Sequence, residues 1–480
     1  MFKTAVSLSM FLWTIVLCGA VICGEAYSVP PKPNIVLVLI DDMGWSDLSC
    51  FGNDAVQTPN IDRLASEGIA FTQFHVCAPI CSPSRCGITT GHYPYRWRIN
   101  SFLAERRANT ERNINHWLDP KAPTLARILH DAGYTTGHFG KWHLGGQRDV
   151  GEAPLITEYG FDESLTNFEG LGPRVLPLLN TFDGTAPKRY SLGSENLGRR
   201  DEIRWVDRNQ VTSCFVEKAL EFMQKAEQEG KPFYVNLWPD DMHSPFFPAA
   251  ELRGDGSKKS LYHGVLVEMD RQLAPLFDYI RNSETLRDNT LIVFLSDNGP
   301  EPGAGSSQPL RGNKGMLYEG GTRSPLIIWG QGLLATEQRG TKNEQTVFHS
   351  LDLVPSLLRI ADVPIPSETV FDGEDFSEVL LGHKTQQERQ NPIFWRRPPD
   401  RPGPNNNPWP DLALYSGSWK FLMQFDGSRP KLYEITSDGS ETNNLAARHP
   451  ELVEQFREAL YEWSDSMPPL FPDSPHEEIE

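Results

Sequence analysis

Six consecutive aliphatic residues, Ile35–Ile40, run directly into Asp41 and Asp42. A run without polar alternation, ending in polar residues, predicts a strand buried on both faces, as in a parallel sheet covered by helices. The pattern recurs. NTLIVFLSDNG predicts a strand ending at Asp297 and Asn298, PFYVNLWPDD one that precedes His243, and YTTGHFGKWH a shorter one ending near Lys141. Helical patterns lie between them. Thr58 and Pro59 open one as N-cap and first turn, with Gly68 as its stop. Others cover 124–132, 212–229 (with Phe215, Ala219, Leu220 and Met223 on one face) and about 263–281. Such alternation predicts an α/β fold with a largely parallel sheet. Asp41/Asp42, Lys141/His143, His243 and Asp297/Asn298 each follow the carboxyl end of a predicted strand, the edge where open α/β sheets bind ligands. With Lys314 they span 41 to 314 and are expected to share one large domain.

The ends of the chain read differently. Lys3 precedes the apolar run Met10–Cys23, and Gly24 and Ala26 supply small residues before a cleavage point. The pattern predicts a signal peptide over 1–26, because the run is shorter than the roughly 20 residues that span a bilayer. No later segment is apolar enough to cross a membrane, so no integral membrane segment is expected once the leader is removed. Arg396–Asp411, rich in Pro and Asn, predicts a loop. Around it, SGSWKFLMQFDG and PKLYEITSDG predict a hairpin or meander. HPELVEQFREALYEWSDSM predicts an amphipathic helix with Leu452, Phe456, Leu460 and Trp463 apolar. The expected division is a catalytic domain over 32–384 and a small α+β domain over 385–480, loose from Pro468 onward.

Net charge then excludes partners. Lys plus Arg is 45 against 63 for Asp plus Glu, a formal charge of −18, which argues against nucleic acid or an anionic membrane surface. Five cysteines lie beyond the leader (Cys50, Cys77, Cys81, Cys86 and Cys214), too few and odd in number for a disulfide framework. No Asn-X-Ser/Thr acceptor occurs. An exported bacterial protein, periplasmic or extracellular, is the expectation.

Two groups of residues carry chemistry. Asp41, Asp42, Asp297 and Asn298 form an all-oxygen set suited to Ca²⁺ or Mg²⁺, although each pair alone is ordinary turn chemistry. In CSPSRCGITTG, Pro83 suits the first turn of a helix stopped by Gly91, which places Cys81 at its N-terminus and Arg85 one turn on. On spacing alone Cys81 is either a nucleophilic thiolate or a buried structural cysteine.

Cys81-Ser82-Pro83-Ser84-Arg85 resembles the C-x-P-x-R signature of the type I sulfatases, and TTGHYPYR continues the likeness. Gly140–Gly145, LSDNGPE, Leu310–Pro325 and KLYEITSDGSETNNLA resemble further blocks of that family in order, in the manner of its arylsulfatase A and N-acetylgalactosamine-6-sulfatase branch. The resemblance implies an alkaline-phosphatase-like fold: a large mixed, mostly parallel sheet sandwiched by helices, plus a small C-terminal domain with an antiparallel sheet. It implies that a formylglycine-generating enzyme converts Cys81 to formylglycine, whose hydrated aldehyde attacks sulfur. It also implies one Ca²⁺ held by Asp41, Asp42, Asp297, Asn298 and the modified Cys81, with Asp297 also a candidate base.

By the same resemblance Arg85 and Lys141 would hold the formylglycine and His143 would take a proton. His243 would bind sulfate and protonate the leaving oxygen, and Lys314 would contact sulfate. Three aspartates, a divalent ion and the cations Arg85, Lys141 and Lys314 sum to a local charge of +2 on a −18 chain. The implied reaction is sulfate ester hydrolysis, with a sulfated saccharide as the expected substrate. Two alternatives stand beside it: a phosphate or phosphonate ester hydrolase, and a catalytically silent carbohydrate-binding relative. Segments 93–117 and 170–210 are expected to shape the rim, where Arg96, Arg98, Arg106 and Arg107 either grip further anionic groups or are ordinary surface charge.

Overall fold

In the computed structural model the aliphatic run is strand β1 (Asn34–Ile40), buried throughout. Its side chains alternate between two cores. Ile35, Leu37 and Leu39 join one apolar cluster, and Val36, Val38 and Ile40 join another on the opposite face. This is the period-two geometry of a strand covered on both sides. The structure describes Met1 and residues 32–470 apart from Asp183, Arg200, Asp201, Asn406 and Asn407. The expected leader (Met1 aside) and the end of the acidic tail lie outside the described residues.

Chain order continues with β2 (Ile69–His75), β3 (Thr135–Gly140) and β4 (Glu163–Leu165), then β5 (Arg174–Leu179), β6 (Lys188–Arg189) and β7 (Ile203–Asp207). Next come β8 (Phe233–Trp238), β9 (Thr290–Ser296), β10 (Arg323–Trp329), β11 (Thr341–Asn343) and β12 (Phe348–His349). Last are β13 (Ile393–Arg396), β14 (Leu412–Ser416), β15 (Trp419–Met423) and β16 (Lys431–Glu434). The large sheet has the order β11-β2-β10-β9-β1-β8-β3-β4, with β12 also paired to β2. β9, β1, β8 and β3 are consecutive neighbours and all parallel. β10 runs against both β9 and β2, which makes the sheet mixed. The residues after β9, β1, β8 and β3 therefore leave one edge of four adjacent strands, each about 4.8 Å from the next.

Helices cover both faces. Cys81–Thr90, Leu125–Asp131 and Leu353–Ile360 pack into the cluster on one face, and Pro59–Glu67, Val211–Gln228 and Lys258–Asn282 into the other. The sequence expectation for the helix at 263–281 started too late, because the polar KKS opening hides the first turn, which Ser257 caps by accepting from the Ser260 N–H. Thr58 does precede the first long helix, but not as a side-chain cap. Its hydroxyl donates to Asp62 at 3.0 Å, and Asp62 in turn holds the Ser49 hydroxyl and the Cys50 N–H.

The C-terminal segment forms the antiparallel meander β13-β14-β15-β16. One face packs on the helix Pro450–Asp465 through Leu412, Leu414, Phe421 and Leu432 against Val453, Phe456, Leu460 and Trp463. Val453, rather than the expected Leu452, is the buried residue of that turn. The other face buries Leu317 and Tyr318, just past Lys314, against Trp395, Tyr415 and Tyr433.

The segment 170–210, expected to shape the rim, contains the small sheet β6-β5-β7. Its strands are short and partly exposed, so they leave no continuous apolar run in the sequence. Three of the four rim arginines are engaged by carboxylates. Arg96 grips Asp372 with both nitrogens at 2.8 and 2.6 Å, Arg107 pairs with Glu111 at 2.7 Å, and Arg106 pairs with Glu152.

Candidate active site

β1 ends at Ile40, and Asp42 adopts φ +59°. Two successive carboxylates in a strand would point to opposite faces. The left-handed turn, which aspartate tolerates better than most residues, brings both inward. The Asp42 N–H donates to Asp297 Oδ1 at 3.1 Å, which ties the end of β1 to the end of β9. Carboxylate oxygens of Asp41, Asp42 and Asp297 lie within 4.8 Å of one another, and all three residues are fully buried.

Cations surround them. The Arg85 Nη2 lies 3.1 Å from Asp41 Oδ1 and 2.8 Å from Asp297 Oδ2, while its Nη1 donates to the Lys141 carbonyl at 2.8 Å. Lys141 Nζ donates to Asp41 Oδ2 at 2.8 Å, and Lys314 Nζ to Asp42 Oδ2 at 2.6 Å. His243 Nε2 is 3.8 Å from Asp42 Oδ2, and its Nδ1 is 2.7 Å from the Ser244 carbonyl, so Nδ1 carries the proton there. Asn298 Nδ2 donates to Asp42 Oδ1 at 2.7 Å, leaving Asn298 Oδ1 buried without a hydrogen-bond partner.

These contacts set the protonation states. Burial pushes Asp41 up, but Lys141 and Arg85 outweigh it and hold the carboxyl well below the usual range. Asp297 goes the other way. Burial, with Asp41 and Asp42 alongside, pushes it well above the usual range despite Arg85. A crowded buried carboxylate cluster of this kind lacks positive charge. A buried amide oxygen with no donor, on the residue whose Nδ2 bonds Asp42, offers a fourth hard oxygen, so the donor set fits a hard divalent cation such as Ca²⁺.

Cys81 begins the helix Cys81–Thr90, preceded by Ile80 with no side-chain cap, and Gly91 ends it at φ +68°. The residue is buried and within electrostatic reach of Lys141, Lys314, Asp41 and Asp42. Burial pushes its thiol up, so an unmodified thiol here is a poor nucleophile near neutral pH. Of the two readings left open by spacing, the simple thiolate loses ground. Arg85, one turn on, braces Asp41 and Asp297 with its guanidinium. Lys314 arrives on a loop fixed by two backbone bonds. Its N–H donates to Pro300 at 3.2 Å, and the Gly315 N–H donates to Pro79 at 2.8 Å, two residues before Cys81.

The bend after β3 brings in Lys141 and His143. Gly140 has φ +131°, and a Cβ there would lie 2.2 Å from the Trp238 carbonyl oxygen, so only glycine fits. His143 has φ +55° and donates its N–H to the Glu169 carbonyl at 2.7 Å.

Glu169 is the residue the sequence reading missed. Its carboxylate is buried 2.6 Å from His143 Nε2 and 3.7 Å from Lys141 Nζ; burial pushes it up, but His143 and the Lys141 ammonium outweigh that and hold it well below the usual range. No strand-end doublet marks it, because it sits in a loop beyond the three-residue β4. It also corrects the charge count. Four carboxylates against Arg85, Lys141 and Lys314 leave one net negative charge, and a divalent ion turns that to +1 rather than +2.

Comparisons with known proteins bear on the family and the fold. A family model described as Sulfatase matches residues 33–363. The chain is 29% identical over 504 aligned positions to an N-acetylgalactosamine-6-O-sulfatase of Bacteroides thetaiotaomicron, covering 89% of this chain and 92% of that one. It is 31% identical over 391 positions to the N-acetylgalactosamine-6-sulfatase of Homo sapiens, covering 78% and 70%. Among solved structures, Ps i-CgsB in complex with k-i-k-neocarrahexaose shares the fold with a TM-score of 0.74 at 24% identity, over 90% of this chain and 92% of that one.

Proposed function

This chain belongs to the sulfatase family, and we propose that it is an exported enzyme that releases sulfate from a sulfated saccharide, using one Ca²⁺ and a formylglycine made from Cys81. One observation carries the reading: Lys141 and Lys314 each bond a different carboxylate of the Asp41, Asp42 and Asp297 cluster, with Cys81 beside all of them. The saccharide is supported by the names of the relatives, several of which are N-acetylgalactosamine-6-sulfatases. Export is supported by the apolar Met10–Cys23 run behind Lys3.

Asp41, Asp42, Asp297 and Asn298 would hold the calcium. When bound, that ion supplies two positive charges against the substrate's sulfate, and the formylglycine supplies the hydroxyl that attacks sulfur. The chain's own residues do the rest. Lys141 and Lys314 each offer an ammonium group beside the carboxylate cluster, Lys141 on Asp41 to hold the formylglycine and Lys314 on Asp42 to bind a sulfate oxygen. Both stay charged: burial opposes this, but the neighbouring carboxylates hold each ammonium above its usual range. Arg85 fixes Asp41 and Asp297 against each other, so the site is preorganised before substrate arrives. His243, with its Nδ1–H committed to Ser244, has Nε2 free to take up a second proton, and the imidazolium so formed would hand that proton to the leaving oxygen. His143 would take a proton in the elimination step.

The test is release of inorganic sulfate from a panel of defined sulfated saccharides, with an aryl sulfate and an aryl phosphate alongside. Sulfate release by the parent and none by Cys81→Ala is the expected result, together with a Cys81 peptide lighter than the thiol form. Faster cleavage of the phosphate would favour the phosphatase reading. Full activity with the Cys81 thiol intact would remove the formylglycine.

A further inference from the structure

His143 is clamped by acceptors at one nitrogen only. Nε2 lies 2.8 Å from the Leu103 carbonyl oxygen and 2.6 Å from Glu169 Oε2. Neither a carbonyl nor a carboxylate can donate, so in the neutral ring the proton sits on Nε2 and the lone pair on Nδ1. Nδ1 is buried and has no hydrogen-bond partner among the described residues.

Glu169 is itself anchored. Its N–H donates to Asn167 Oδ1 at 2.8 Å, Asn167 Nδ2 donates to Asp240 Oδ2 at 2.9 Å, and Arg208 Nη1 pairs with Asp240 at 3.0 Å. This polar chain, buried along its length, runs from the Glu169 loop to Asp240 just past the end of β8. A carboxylate whose only task was to neutralise Lys141 would sit nearer Nζ. At 3.7 Å from Lys141 and 2.6 Å from His143, it is placed for the imidazole.

We propose that Glu169 is a positioning residue that pairs with His143 as a carboxylate–histidine dyad, fixing the Nε2–H tautomer so that Nδ1 serves as the proton acceptor in sulfate ester cleavage. The proton taken at Nδ1, from the formylglycine hydroxyl whose O–H bond breaks, makes an imidazolium whose Nε2–H bonds the Leu103 carbonyl and whose ring already lies 2.6 Å from the Glu169 carboxylate, so the charge is stabilised as it forms. No other co-reactant is needed, and the proton leaves Nδ1 again to water as the site resets. The inference rests on the sulfatase reading for the identity of the reaction, but the tautomer does not.

The test has two arms. Nitrogen-15 shifts of selectively labelled histidine in the parent protein, assigned with His143→Gln, report the tautomer with no turnover required. A protonated Nε2 and an unprotonated Nδ1 are expected, and the opposite tautomer overturns the proposal. In the second arm, Glu169→Gln and Glu169→Asp are assayed on an aryl sulfate. Glu169→Gln is expected to lose roughly a hundredfold or more in kcat with KM changed little, the scale of general-base effects, while Glu169→Asp recovers part of it. An increase in KM with kcat retained would make Glu169 a counter-ion of Lys141 and overturn the dyad. An inactive parent with the Nε2–H tautomer in place would refute the sulfatase function while leaving the orientation of His143 standing.

Discussion

At the scale of single residues, the site is defined by carboxylates that cannot all be charged without help. Asp297 is pushed well up by burial and by Asp41 and Asp42, while Asn298 Oδ1 is buried with no donor. A divalent cation satisfies both at once. Calcium added to chelator-treated protein should therefore raise the unfolding free energy by RT ln(1 + [L]/Kd), about 2.7 kcal/mol at a hundredfold excess over Kd. Asp297→Ala should abolish the rise, and thermal unfolding with and without calcium measures it. An equal calcium response in Asp297→Ala would move the metal elsewhere. The aspartates were legible because each doublet ends an unbroken aliphatic run, so sequence alone places them on a sheet edge. Glu169 was not, because a loop glutamate beyond a three-residue strand carries no such signal, and only the left-handed bend at His143 brings the two together.

At the scale of elements, the loop bearing Lys314 is held from both sides. Toward the large sheet it bonds Pro300 and Pro79, and toward the C-terminal meander it leads into Glu319. Glu319 is fully buried and meets Lys420 of β15 at 2.7 Å, His75 at the end of β2 at 3.0 Å and Arg323 at 3.3 Å, while its N–H donates to Glu441 at 2.7 Å. A fully buried charge network breaks badly when one member is removed, since its partners stay buried and unpaired. Lys420→Met should cost about 3–5 kcal/mol in denaturant unfolding. Because the same loop carries Lys314, sulfate release at subsaturating substrate should fall as well. A stable, fully active Lys420→Met would show that the meander is not what positions Lys314. The strands of the meander were legible in outline from SGSWKFLMQFDG and PKLYEITSDG. Its coupling to the active site was not, because Glu319 and Lys420 are 101 positions apart and nothing in the pattern of either segment ties one to the other.

At the scale of the whole molecule, a chain of charge −18 folds with many carboxylates out of water, and they divide into two classes. Asp41 and Glu319 are held low by cations, so what they contribute is present at neutral pH and lost as pH falls. Asp241 belongs to the other class. Burial pushes it up to about 6 against the opposing pull of Arg208, and it shares a hydrogen bond with the Thr212 hydroxyl. The folded state thus binds its proton more tightly than the unfolded state does. That contribution is complete below the unfolded value near 3.8 and is lost as pH climbs through about 6. A shift of about two units corresponds to roughly 3 kcal/mol at most, using about 1.4 kcal/mol per unit. Asp241→Asn cannot ionise and keeps a polar group opposite Thr212. It should match the parent in Tm at pH 4 and gain on it steadily from pH 4 to pH 7. Thermal unfolding of the two proteins across that range decides the matter, because a constant difference at every pH would mean that Asp241 titrates alike in the folded and unfolded chain.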